Sequence, residues 1–220
     1  MSFARDLEDL VLTLFGPIAP GHAAAQKTIE EAEKRLCVHL PAILCQYYLL
    51  VGRHPQVSEG MNHILPPDAL WMSSGGLVFE EEHQHYYFYG ILTDDLNIDD
   101  PPVMQGNRGE SKWYLESRRL SDHLLSMVCW QACNVLESAQ ARLPPNRLEL
   151  LKAQLRWVSA GPDPTDDTIG LWGEGVAAVV FTKSGDIYWA AGTDELLHSF
   201  RAKFLPLDQT TDQHRSVPQD

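Results

Sequence analysis

The chain has 220 residues, 44% hydrophobic and 21% charged, which fits one large or two small globular domains and excludes a disordered chain. Thirty acidic against 17 basic residues give a net charge of −13, which argues against nucleic-acid binding, because a phosphate backbone is held by Lys and Arg. No apolar run approaches the roughly 20 residues that span a bilayer, and Met1-Ser2-Phe3-Ala4-Arg5-Asp6 does not lead into a signal peptide's apolar stretch, so a cytoplasmic location is expected.

In chain order, Leu7, Leu10, Val11, Leu14 and Phe15 have the spacing of an amphipathic helix that Gly16-Pro17 stops. Thr28 with Glu31 reads as a capping box ahead of a second helix with Ile29, Ala32 and Leu36 on its apolar stripe. Pro41 suits the first turn of a third helix, which buries Leu44, Tyr47, Tyr48 and Val51 and ends at Gly52. The period then changes. Leu77-Val78-Phe79 and Tyr86 to Ile91 read as strands between the proline pairs Pro66-Pro67 and Pro101-Pro102, and Trp113-Tyr114-Leu115 as a further short one.

A long helix is expected next, capped by Ser121, with Leu125, Val128, Cys129, Ala132, Leu136 and Ala139 on one face and Pro144-Pro145 at its end. Asn146 to Val158 reads as another helix. Gly173-Glu174-Gly175 bends the chain before a strand at Val176 to Thr182, which forms a hairpin with Ile187 to Ala191. Thr193 caps a last helix carrying Leu196, Leu197, Phe200 and Phe204. The expectation is a single α+β domain over residues 1–205, with one mostly antiparallel or mixed sheet that the C-terminal hairpin completes and helices flanking it, followed by a flexible tail over 206–220.

Four cysteines without a C-x-x-C spacing read as free, buried thiols. The charge is unevenly spread: from His54 to Asn107 there is no Lys or Arg but there are nine acids, Glu59, Asp68, Glu80, Glu81, Glu82, Asp94, Asp95, Asp99 and Asp100. Tyr86 to Tyr89 add an aromatic run in which Tyr87 and Tyr89 share one strand face, and tyrosines beside carboxylates suit a protein-binding hot spot. Other chemistry is weakly signalled. His83-Gln84-His85 would share a strand face and offer a metal site with a neighbouring carboxylate, but it falls where the chain should turn. Asp94, Asp95, Asp99 and Asp100 look like loop acids rather than a catalytic pair. His123 with Cys129 is too generic a pair to indicate a nucleophile, and no phosphate-binding glycine loop occurs.

Ile29 to Leu36, Val38, Leu40-Pro41 and Tyr47 to Gly52 resemble the N-terminal signature of the SUKH superfamily. Leu65-Pro66-Pro67, Leu77 to Glu82, Gln84, Tyr89-Gly90-Ile91 and Asp99 to Val103 are similar to the strand region of its bacterial members, and Leu120 to Ala132 and Val176 to Phe204 to their later segments. Two departures are Tyr89, where these proteins often carry Trp, and Arg53-His54 after the helix-ending glycine. The resemblance implies an α+β domain without catalytic residues that acts as an immunity protein, binding and neutralising a bacterial toxin, frequently a nuclease. Fungal relatives are regulators of cell-wall synthesis that act through protein contacts, which supplies a regulatory scaffold as the alternative; a metal-binding or hydrolytic protein built on the acidic, histidine-bearing turn is the third. The expected partner is thus a basic toxin domain encoded nearby, met by Glu80, Glu81, Glu82, Tyr87, Tyr89, Asp94, Asp95, Asp99 and Asp100, with no cofactor, metal, nucleic acid or membrane involved.

Overall fold

The computed structural model describes residues 2–58, 60–144, 147–159, 161 and 168–205. The expected tail over 206–220 lies outside them. The first third is helical: α1 (Phe3–Phe15), α2 (Gln26–Leu36), α3 (Ala42–Val51) and the single turn α4 (Pro55–Ser58). Gly16 ends α1 with φ +81, a conformation that a side chain would strain. α2 starts two residues before Thr28, with Ala25 at its N-cap and no side-chain cap, so the capping box does not form. In α3 the four expected core residues are buried, and Pro41 stands at the N-cap position rather than inside the first turn.

The strands form two antiparallel sheets, not one. The first contains β1 (Asn62–Ile64), β2 (Trp71–Ser73), β3 (Gly76–Glu82), β4 (Tyr87–Leu92), β5 (Val103–Asn107) and β6 (Trp113–Ser117), in the order β1-β3-β4-β5-β6 with β2 also on β3. After α5 (Leu120–Val135) come β7 (Glu137–Arg142), α6 (Arg147–Gln154), β8 (Arg156–Ser159), β9 (Thr168–Gly173), β10 (Val176–Phe181), β11 (Asp186–Ala191) and α7 (Asp194–Phe204). These later strands form the second sheet, β7-β11-β10-β9-β8. The α+β class holds, but the C-terminal hairpin builds a sheet of its own instead of completing the first.

Two helix expectations shorten for the same reason. α5 ends at Val135, and Ala139, assigned to its face by spacing, lies on β7 opposite Trp189. Ala139 and Ala141 alternate toward the second core, so a period-2 pattern overrides the helical spacing that Leu136 and Ala139 share with α5. The helix expected over Asn146 to Val158 likewise stops at Gln154, and Arg156–Ser159 pairs with β9. Ladder bonds to an existing sheet outweigh a weak local helix preference.

One cluster of buried side chains joins the sheets. It runs from α1 and α3 through Leu77, Phe79 and Ile91 of the first sheet and the α5 stripe to Trp172, Ala177, Val179 and Ala190 of the second. The opposite face of the second sheet is covered by α6 and α7 through Leu151, Phe200 and Phe204. Burial on both faces explains why β10, Val-Ala-Ala-Val-Val-Phe, is continuously apolar. The first sheet's other face carries an aromatic layer in place of helices: Phe88 stacks edge-on between Trp71 and Trp113, with centroids 5.3 and 5.2 Å away. Glycine makes room for these rings. A Cβ on Gly90 would lie 2.5 Å from the Leu77 carbonyl oxygen and 2.8 Å from the Trp113 ring.

Candidate functional site: an acidic tyrosine shelf over a buried ion pair

The first sheet presents one polar row toward α5. Register places Glu80 of β3 beside Tyr89 of β4, Tyr89 beside Gln105 of β5, and Gln105 beside Tyr114 of β6, and directly paired residues share a sheet face. The β-bulge between Val78 and Glu80 lets Phe79 stay in the core while Glu80 turns to the same side. The row climbs from a fully buried carboxylate at Glu80, through half-buried Tyr89 and Gln105, to Tyr114 at 43% exposure. Alternation along β4 brings Tyr87, 42% exposed, to this face, and Glu82 joins it beside Asn62.

Beneath the shelf lies a buried polar network. Glu80 Oε2 is 2.8 Å from His123 Nε2 on α5, and Glu80 Oε1 accepts a 2.7 Å bond from Asn62 Nδ2. The backbone N–H of Met61 donates to Gln131 Oε1 at 2.7 Å, and Gln131 Nε2 donates to the Asn62 carbonyl. The rings of Phe79 and Tyr89 lie 5.8 and 5.5 Å from that of His123. Burial disfavours the protonated imidazole; the charge and hydrogen bond of Glu80, aided by the charge of Glu116, outweigh it and raise the His123 pKa above its ordinary value. Burial raises the Glu116 carboxyl, with His123 opposing the shift and Glu80 adding to it. Burial and then the charges of Glu80, Glu116 and Glu82 push the Tyr89 phenol far up, so it stays a neutral donor. The network therefore holds two strands and α5 in fixed relation and keeps the shelf rigid.

The expected contact residues divide. Glu80 is buried and removed from any surface. Glu81 points to the opposite face, where Arg108 binds it at 2.9 Å and His85 lies 3.4 Å away, so a cation just beyond the basic-free segment neutralises part of it. Glu82, Tyr87 and Tyr89 come together on the shelf. Asp94 and Asp95 sit in the 3-10 turn Thr93–Asp95 beyond the other end of β4, which is about 17 Å long at the usual rise per residue, and Asp99 is exposed in the loop that follows. Asp100 is structural: it accepts bonds of 2.8 and 2.7 Å from the Ser121 N–H and hydroxyl and binds Arg119 at 2.8 Å, capping α5 from outside the helix. Ser121 is thus not the cap itself; Arg119 holds the N-cap position.

The remaining candidates lose their geometry. His83, Gln84 and His85 form the β3–β4 turn, where no strand alternation applies, and His85 has φ +58. Among the described residues, no group of three or more His, Cys, Asp or Glu side chains is placed to hold a metal ion. His123 is taken by Glu80, while Cys129 directs its thiol to the Leu171 carbonyl. Cys129 and Cys133 are buried as expected, but Cys37 is exposed, at the left-handed C-cap of α2. No helix among the described residues is long and apolar enough to cross a membrane.

Sequence reasoning weighed His123 only beside Cys129 and missed its pairing with Glu80, together with Asn62, Gln131, Glu116 and Tyr114. The available signal was Glu80 continuing the apolar run Leu77-Val78-Phe79, and His123 and Gln131 standing on the apolar side of α5. A buried acid demands a cation or donors, but spacing does not show which. No protein-family model, curated protein or solved structure matches the chain.

Proposed function

We propose that the chain is a non-catalytic protein-binding module that neutralises a basic, nuclease-type toxin by direct contact through the acidic tyrosine shelf. The observation that carries this reading is the shared face of Glu82, Tyr87 and Tyr89, continued across the sheet to Tyr114 and backed by a buried network. Tyrosine offers large contact area with few rotatable bonds, and a rigid support lowers the ordering cost of binding. The net charge of −13 adds a field that speeds encounter with a cationic surface. The ordered motif series that resembles the SUKH superfamily supports the same function.

The test is co-expression with the toxin encoded next to this gene, followed by calorimetry on the purified pair. Growth rescue and one-to-one binding are expected. Tyr87→Ala and Glu82→Lys should each weaken binding about tenfold or more without changing the circular dichroism of the free protein. Reversing Asp94 and Asp99, at the far end of the sheet, should alter mainly the association rate. A chain that neither rescues growth nor binds the toxin refutes the proposal.

A further inference from the structure

The connection between α1 and α2 contains the 3-10 turn Pro20–His22 and is strapped to the end of α3. The Arg53 N–H donates to the His22 carbonyl and the Ala24 N–H to the Tyr48 carbonyl, each at 2.8 Å. Beside these bonds the rings of His22 and His54 meet edge-on with centroids 4.1 Å apart, and the Phe15 ring lies 5.6 Å from that of His54. His54 is 3% exposed, and its Nδ1 is buried without a hydrogen-bond partner. His22 Nδ1 accepts a 3.2 Å bond from the Ala19 N–H, so the ring carries its single proton on Nε2. A second proton must go to Nδ1, which ends that bond. The junction is thus built for two neutral imidazoles.

Among the described residues, nothing beside the pair offsets a positive charge. Histidine–carboxylate pairs form at His39, His85 and His123, not at His22 or His54. The last turn of α1 and all of α3 and α4 carry no charged side chain, and α5, on which α4 packs, has none after His123. β1 adds only His63, and Arg53, next in the chain, is itself a cation. Burial first, and then the charge of His22, holds the His54 imidazole below its ordinary pKa, with its own carbonyl opposing the shift in part. We propose that the His22–His54 pair is an acid-sensitive latch: protonation frees the strap over residues 16–25 from the end of α3 while the joint between the first sheet and α5 stays closed. The folded-state value of His54 lies below the unfolded one, so the latch is complete above about pH 6.5 and is lost as the pH falls towards the folded value. The Glu80–His123 pair has the opposite sign, and acid does not weaken it in this range. Opening is therefore local.

Amide hydrogen exchange of the full chain, read by nuclear magnetic resonance and corrected for the intrinsic effect of pH, tests this. The Ala24 and Arg53 amides should open about tenfold more at pH 5 than at pH 7.5, while amides inside α5 keep their protection. The His54 ring protons should titrate below about pH 6.5, and at a higher pH in His22→Gln than in wild type. His54→Phe keeps a ring but takes up no proton, and should abolish the acid opening. Should that variant fail to fold, His22→Gln, at a partly exposed position, decides the matter through a weaker acid response. Strap amides equally protected at both pH values overturn the proposal, as does a strap that opens only together with α5. An acid response undiminished in the variants overturns it too.

Discussion

Replacing His123 by Leu removes the ion-pair partner of a carboxylate with no exposure to solvent, leaving Glu80 only the 2.7 Å bond from Asn62. Breaking a buried pair by deleting one partner costs about 3–5 kcal/mol, mostly the penalty of the charge left behind. The loss should be read as a lower urea midpoint at unchanged slope, with far-ultraviolet dichroism confirming the fold. The pH dependence separates this cause from simple repacking. In the wild-type protein the folded-state pKa of His123 lies above its unfolded value, so the pair's contribution is full below about pH 6.5 and falls as pH rises through the folded value, by at most about 1.4 kcal/mol per pH unit. The variant lacks that decline, so its deficit relative to wild type should be largest near pH 5 to 6 and narrow as the pH rises. Adding Glu80→Met to His123→Leu should recover most of the stability, since an apolar pair packs where an ion pair stood. A single-variant loss below about 1 kcal/mol that is the same at pH 5 and pH 8 would show that the pair does not organise the sheet–helix contact.

Three further outcomes follow from the same geometry. Asp100→Ala should cost about 1–2 kcal/mol in chemical denaturation, because it uncaps α5, whereas Asp99→Ala, in the exposed loop, should stay within about 0.5 kcal/mol of wild type. Gly90→Ala should lower the melting temperature by several degrees, reflecting about 1–3 kcal/mol of crowding against Leu77 and Trp113. A thiol reagent at pH 8 should label Cys37 in the folded protein and reach Cys133 only on unfolding, since Cys133 is buried and its thiol is pushed up to about 12; labelling of all thiols at one rate would contradict this packing.

Local rules were legible where a segment's own period or cap decided its structure. α1, α3 and α7 follow from apolar spacing and from Gly16 and Thr193, whose hydroxyl accepts a 3.3 Å bond from the Leu196 N–H. The β10–β11 hairpin follows from two apolar runs around Lys183-Ser184-Gly185-Asp186. The rules failed at Glu137–Arg142 and Arg156–Ser159, where short segments of ambiguous preference are recruited by neighbours distant in the chain. Strand pairing supplies partners that no local window contains.

The same division holds for the shelf. Composition by itself determined the acidic surplus, the stretch from His54 to Asn107 without a cation, and the presence of tyrosines within it. Only the tertiary structure decided which of those groups share a face. It turned Glu80 inward to His123, bound Glu81 to Arg108, spent Asp100 on a helix end, and set Asp94 at the far end of a strand from Tyr87. It also added Tyr114 and Glu116 from a strand beyond the segment. Charge is a sum over residues and survives any folding of the chain, whereas a face is made by strand register and by the bulges at Val78 to Glu80 and opposite Val103 to Met104, which reset the direction of the side chains that follow them in the strand.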